Sequence, residues 1–170
     1  MRASPWRTYR KVEQERNYVA LLCVFPLKSY GAIPRFLRFT WELRQQMKSA
    51  RGLIGCSYLV QPMRKEFWTL SVWESEKTLT NFLRRDPHYS AMLALQPEMG
   101  PTRFIRWTIQ GAACPPRWDE AFARATSPSH DGASPQPAWS FSPNSQPLSA
   151  SPSSDGAHLA GTSYPGPYSE

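Results

Sequence analysis

A chain of 170 residues with 17 prolines, 9 glycines and a formal charge of +7 has room for one domain of about 100–150 residues and an appendage. Three widely spaced cysteines, Cys23, Cys56 and Cys114, exclude a disulfide framework and a CxxC metal site. No stretch reaches the roughly 20 apolar residues that span a bilayer.

The charge is uneven. From Thr126 onward there is no Lys or Arg, so the 20 basic and 10 acidic residues of 1–125 leave that region at +10. The bases are dispersed in runs of no more than two, which fits solvated faces, so nucleic acid is not expected as a partner; with no spanning stretch, neither is a membrane. Residues 126–170, crowded with Ser, Pro, Ala and Gly, bury too little apolar surface to offset chain entropy and are expected to be disordered. Their Ser-Pro repeats suit phosphorylation or partner binding, and "SPQPAWSF" (134–141) carries aromatics suited to anchoring the tail on the domain.

In chain order, residues 1–16 are polar and basic and are expected as a flexible N-terminus. Arginines ahead of the apolar run 18–26 superficially resemble a secretion signal, but the run is short and lacks a small-residue cleavage pattern, so a cytoplasmic location is expected. "NYVALLCVF" (17–25) is a continuous apolar run of strand formers ended by Pro26, as in a buried strand. From Ile33 to Lys48 the three-four spacing of Ile33, Phe36, Leu37, Thr40, Leu43 and Met47 predicts an amphipathic helix with Pro34 in its first turn. Arg51-Gly52 ends it. "LIGCSYLVQ" (53–61) and "FWTLSVWE" (67–74) read as a hairpin across "PMRKE". In the second of these, Trp68, Leu70 and Val72 share one face and Phe67, Thr69, Ser71 and Trp73 the other.

Ser75 then caps a helix over 76–85 that buries Leu79, Phe82 and Leu83. Asp86 and Pro87 open another as cap and first helical residue, making His88 the second. "TRFIRWTIQ" (102–110) is a last strand, with Phe104, Arg106 and Thr108 on one face and Ile105, Trp107 and Ile109 on the other. "RWDEAFARA" is a short C-terminal helix. The order strand, helix, strand, strand, helix pair, strand is that of a ferredoxin-like split β-α-β, an α+β domain over 17–125 with helices on one face of an antiparallel sheet. The aromatic load of the strands leaves the other face needing cover, and a homodimer with sheets face to face supplies it.

The residues "LSVWES" (70–75), Leu79, Phe82, "DPHYSAM" (86–92) and "RFIRW" (103–107) resemble the antibiotic-biosynthesis-monooxygenase-like group of dimeric α/β barrel proteins, over about 17–125. The resemblance extends to uncharacterised proteins of that superfamily with a similar C-terminal "PPRWDEAFAR" helix. It implies a homodimer with a cavity between sheet and helices in each subunit. Relatives use that cavity to oxidise polycyclic phenols with molecular oxygen and no prosthetic group, to cleave haem, or to isomerise and dehydrate small metabolites; the fold does not choose among them. The haem-cleaving branch uses an Asn on the first strand, a Trp on the helix after the third and a His one helix later. Those positions hold the run around Val24 and Phe25, then Phe82, then Met92, so its pattern is absent, and haem on His88 is a third reading.

His88 precedes His130 and His158 and is the one histidine before the tail. A helix N-terminus disfavours its imidazolium, which leaves a neutral base able to deprotonate a phenol. The plain alternative is a helix-start residue without chemistry. Arg38 and Arg106 are candidates to hold a substrate oxyanion, with solvated or interfacial pairing as their ordinary role. Trp73, Tyr58, Trp41 and Asn81 are candidate substrate contacts, though the aromatics equally suit a core and Asn81 a solvated face. No phosphate loop, paired carboxylates or Gly-x-Ser-x-Gly element is present, and no metal ligand set is read. The expectation is a cofactor-independent monooxygenase-like enzyme acting on a small aromatic or enolisable substrate. The alternative is a non-catalytic dimeric module that binds a ligand or partner.

Overall fold

The computed structural model describes residues 3–127; the calls on the tail, apart from Thr126 and Ser127, lie outside the described residues. Five strands, β1 (Arg7–Thr8), β2 (Asn17–Pro26), β3 (Leu53–Gln61), β4 (Glu66–Trp73) and β5 (Arg103–Gln110), form one sheet in the order β1-β3-β4-β2-β5. All neighbours are antiparallel. The helices are α1 (Ile33–Lys48), α2 (Glu76–Leu83), α3 (His88–Leu95) and α4 (Trp118–Thr126). This is the expected ferredoxin-like α+β sheet with one strand added at its edge.

Local chemistry sets the element ends. Pro34 lies in the first turn of α1, where its missing N–H costs no helical bond. Gly52 turns the chain into β3 at φ +81, and a Cβ there would meet the Thr78 side chain at 2.5 Å. Thr78 is itself half of a capping box: its N–H donates to Ser75 Oγ at 3.3 Å and its Oγ1 accepts from the Ser75 N–H at 3.2 Å. The hairpin turn is a short 3-10 stretch, Pro62–Arg64, closed by Lys65 in the left-handed region at φ 56. At α3 the cap differs from expectation. Pro87 is the N-cap and His88 the first helical residue, while the Asp86 carboxylate accepts from the Ser90 N–H at 3.2 Å.

One face of the sheet packs under α1, α2 and α3. Leu21, Cys23, Phe25, Leu53, Phe67 and Trp73 meet Phe36, Leu79, Phe82, Met92 and Leu95 there. The other face holds Leu22, Val24, Leu59, Trp68 and Leu70, covered by Ala121, Phe122 and Trp118 of α4, and Tyr18, Ala20, Ile54, Val72 and Ile109, packed with Trp6 and Val12. The second face, expected to need a partner subunit, is therefore clothed by the chain's own ends.

The N-terminus differs most from expectation. Read as flexible, residues 3–16 instead run along β3: Arg7 pairs with Cys56 and Thr8 with Gly55, and Ala3 bridges to Leu59. Trp6 lies flat on Gly55, where a Cβ would come within 2.6 Å of the indole nitrogen, so the absent side chain makes the seat. Ser57 Oγ donates to the Ser4 carbonyl at 2.7 Å and accepts from Trp118 Nε1 at 3.1 Å. One hydroxyl on β3 thus holds both ends of the folded segment.

Candidate functional site

The helix-covered face of the sheet is not uniformly apolar, and register shows how its polar groups align. Tyr58, Thr69, Cys23 and Phe104 form one row across β3, β4, β2 and β5; Cys56, Ser71, Leu21 and Arg106 form the next. On one side of these rows lie Phe25 and Phe67 against Phe36, with ring centroids 5.9 and 4.5 Å from it. On the other lies Trp73 against Phe82, at 4.9 Å. A belt of hydroxyls and thiols therefore crosses the layer between two aromatic walls.

Burial forces these groups to pair with one another. Trp73, 2% exposed, donates its indole N–H to Ser71 Oγ at 3.0 Å. Cys56 Sγ donates to Tyr58 Oη at 3.4 Å, and Tyr58 donates on to Met47 Sδ at 3.1 Å. Desolvation pushes the Cys23 thiol up to about 12, although the Thr69 hydroxyl and the Arg106 charge pull the other way. Burial likewise raises the Tyr58 phenol and the Cys56 thiol. These groups are therefore neutral hydrogen-bonding groups near pH 7.

His88 lies at the Trp73 end of the belt. Its ring is 5.1 Å from that of Phe82, and its Nδ1 lies 3.3 Å from the carbonyl of Leu83, the last residue of α2. A helix end leaves its last carbonyls without intrahelical donors, and a carbonyl can only accept. The contact therefore assigns the proton to Nδ1 and the lone pair to Nε2. Burial lowers the His88 pKa to about 4, with the Leu83 carbonyl acting weakly against it. The imidazole is neutral at pH 7.

The other candidates scatter. Arg106 shares the belt through Leu21, and its Nη1 reaches Glu76 Oε2 at 3.5 Å at the start of α2. Tyr58 sits in the belt beneath Arg44, whose guanidinium is 5.7 Å from its ring. Arg38 lies on the outer side of α1, 75% exposed and paired with Glu42; Trp41 is 63% exposed and Asn81 is exposed. None of these three joins the cluster of His88, Phe82 and Trp73. Sequence reading missed Ser71, Thr69, Cys23 and Phe82 as site groups. The signal was the alternation in β4, where two small hydroxyl residues sit between Phe67 and Trp73 on the face that helices cover.

The residue pattern of the haem-cleaving branch is absent. Phe82 and Met92, at the positions of the haem-cleaving pattern, are 8% and 6% exposed within the core. Among the described residues no three His, Cys, Asp or Glu side chains are grouped as metal ligands, and no helix is long and apolar enough to cross a membrane.

No family model and no curated protein matches this chain. Solved structures do. A candidate monooxygenase from Fusobacterium nucleatum aligns at 12% identity with a TM-score of 0.52 over 62% of this chain and 47% of that one; this chain thus spans about half of its length. A conserved protein from Methanosarcina mazei aligns at 14% identity with a TM-score of 0.50, over 55% of this chain and 94% of that one. SnoaB, a cofactor-independent oxygenase from Streptomyces nogalater, aligns at 11% identity and a TM-score of 0.45, over 55% and 94%. The first two share with this chain the fold of an α+β sheet covered by helices. At these identities the likeness is one of fold.

Proposed function

We propose that the chain is a cofactor-independent monooxygenase-like enzyme whose small aromatic or enolisable substrate lies in the helix–sheet layer along the polar belt. The observation that carries this reading is His88, a neutral imidazole with its proton on Nδ1, packed on Phe82 beside Trp73. In the proposed reaction Nε2 takes a proton from the substrate, whose anion supplies all the electrons. Addition of that anion to O2 forms a C–O bond and a peroxide anion, which takes back the proton held on Nε2; the hydroperoxide then loses water, made from its O–O cleavage and the hydrogen on the same carbon, and leaves a carbonyl. A conjugate acid near 4 makes His88 a weak base, so the substrate suited to it is an acidic polyphenol or enol. Arg106, reached along the belt from Cys23, is the cation placed to stabilise the anion. Arg38, Trp41 and Asn81 have no part in this reading.

The test is a thermal-shift titration with flat polycyclic phenols, since a ligand that binds the folded state raises its apparent stability. Oxygen uptake is then measured with the compounds that bind. His88→Ala is expected to lower turnover about a hundredfold or more; full turnover in that variant would remove His88 from the mechanism. A second reading, a non-catalytic ligand- or partner-binding module, is favoured by one observation: Trp73, Ser71, Cys56 and Tyr58 of the belt already hydrogen-bond within the chain. It predicts ligand shifts unaffected by His88→Ala and no oxygen uptake. The homodimer belongs to the first reading, and a face-to-face one requires α4 and Trp6 to leave the sheet.

A further inference from the structure

Seven large apolar side chains are exposed among the described residues, and five of them, Tyr30, Leu37, Trp41, Val60 and Met63, belong to one side of the molecule. Side-chain contacts relate these positions. Arg44 lies over Tyr58 on β3, so the side of α1 that carries Arg44 lies over β3. Leu37, Trp41 and Lys48 stand at helical spacing from Arg44 and share that side. Val60 follows Tyr58 by two residues on the same face of β3, and the Tyr30 hydroxyl donates to the Met63 carbonyl at 2.8 Å across the end of the hairpin. The opposite side of α1 is occupied: Arg35 binds Glu98, and Gln46 donates to the Asp86 carbonyl.

The apolar side also carries cations. Arg7, Arg44, Lys48, Arg64 and Lys65 enter none of the seven ion pairs of the described residues. Arg44 and Lys65 rest on the rings of Tyr58 and Tyr30 instead, Lys48 donates to Gln45, and Arg7 lies beside Tyr9. A second copy seated here would bring unpaired cations against unpaired cations. An anionic surface meets them with the opposite sign.

We infer that the hairpin end where β3 turns into β4, from Val60 to Lys65, and the adjoining side of α1 dock on an anionic lipid bilayer. Trp41, Tyr30, Met63 and Leu37 enter the boundary between headgroups and acyl chains, while the long stems of the bases let their charges stay at the headgroups. The expectation of no membrane partner rested on the lack of a spanning segment, which surface docking does not need. The inference is independent of the proposed reaction.

The full chain is to be sedimented with vesicles of phosphatidylcholine alone and with vesicles in which about a third of the lipid is phosphatidylglycerol. Binding is expected to the second kind only and to fall as salt is raised. The exposed double substitution Trp41→Ser with Met63→Ser is expected to weaken partitioning about tenfold, and Arg64→Glu with Lys65→Glu to abolish the preference for anionic lipid; far-UV circular dichroism checks that each variant folds. Three results would overturn the inference: no binding to anionic vesicles at low salt, equal binding by the double variant, or self-association of the wild type that the same substitutions abolish.

Discussion

His88 gives its Nδ1 proton to Leu83 and has its ring against Phe82, so adding a second proton charges a half-buried group. Its neutrality was legible in the sequence, but the cause was not. The dipole at the start of α3 was the expected reason, whereas burial dominates, and burial depends on Phe82 and α2, which lie elsewhere in the chain. The pKa falls from 6.5 unfolded to about 4 folded. Between those values the unfolded chain binds the proton and the folded one does not, so protons favour unfolding. The contribution is present above the unfolded pKa and is lost as pH falls towards 4. Allowing for partial exposure it amounts to about 2 kcal/mol. Denaturant unfolding at about pH 7.5 and 5 should show a smaller acid loss in His88→Gln than in wild type by about that amount; equal losses would mean that the ring titrates normally.

Elements were read well wherever apolar period and length agreed. The span 53–61 matches β3 and 33–48 matches α1. β1 was missed because two charged or polar residues carry no period; it exists only because Gly55 gives Trp6 a flat seat and Ser57 holds the Ser4 carbonyl. The irregularity between Leu53 and Gly55, which sets the outward phase of Ser57 and Leu59, was equally invisible to strict alternation. The joint at Ser57 is testable. Ser57→Ala leaves the Trp118 N–H without its acceptor, and Trp118→Phe removes that donor. Each is expected to cost about 1–2 kcal/mol. In the double variant the losses should fall short of their sum by about 0.5–1 kcal/mol. Additive losses in denaturant unfolding would show that the hydroxyl does not couple α4 to β3.

For the whole molecule, the argument for a partner counted strands and found a bare face. It could not weigh α4 and Trp6, whose aromatics show no sign in the sequence of which surface they meet. In the fold they cover Leu22, Val24, Trp68 and Leu70. The polar belt was hidden for a related reason: Cys56, Ser71 and Arg106 come together only through register across four strands. Sedimentation should therefore find that the face under α4 and Trp6 does not hold the proposed homodimer of the full chain together. A chain ending at Cys114 bares the face and should associate or bind a hydrophobic dye. A full-length dimer unchanged by that truncation would place the interface on another surface.

The Ser57 joint also has a bearing on synthesis. A chain leaves the ribosome from its N-terminus, and all five strands precede Trp118. Through the growth of the sheet, Trp68, Leu70 and their neighbours have no lid, and Ser57 has a hydroxyl bonded on one side only. The nine residues of α4 close the surface on which nascent chains would otherwise adhere to one another. Slow translation just before residue 118 would prolong that exposure.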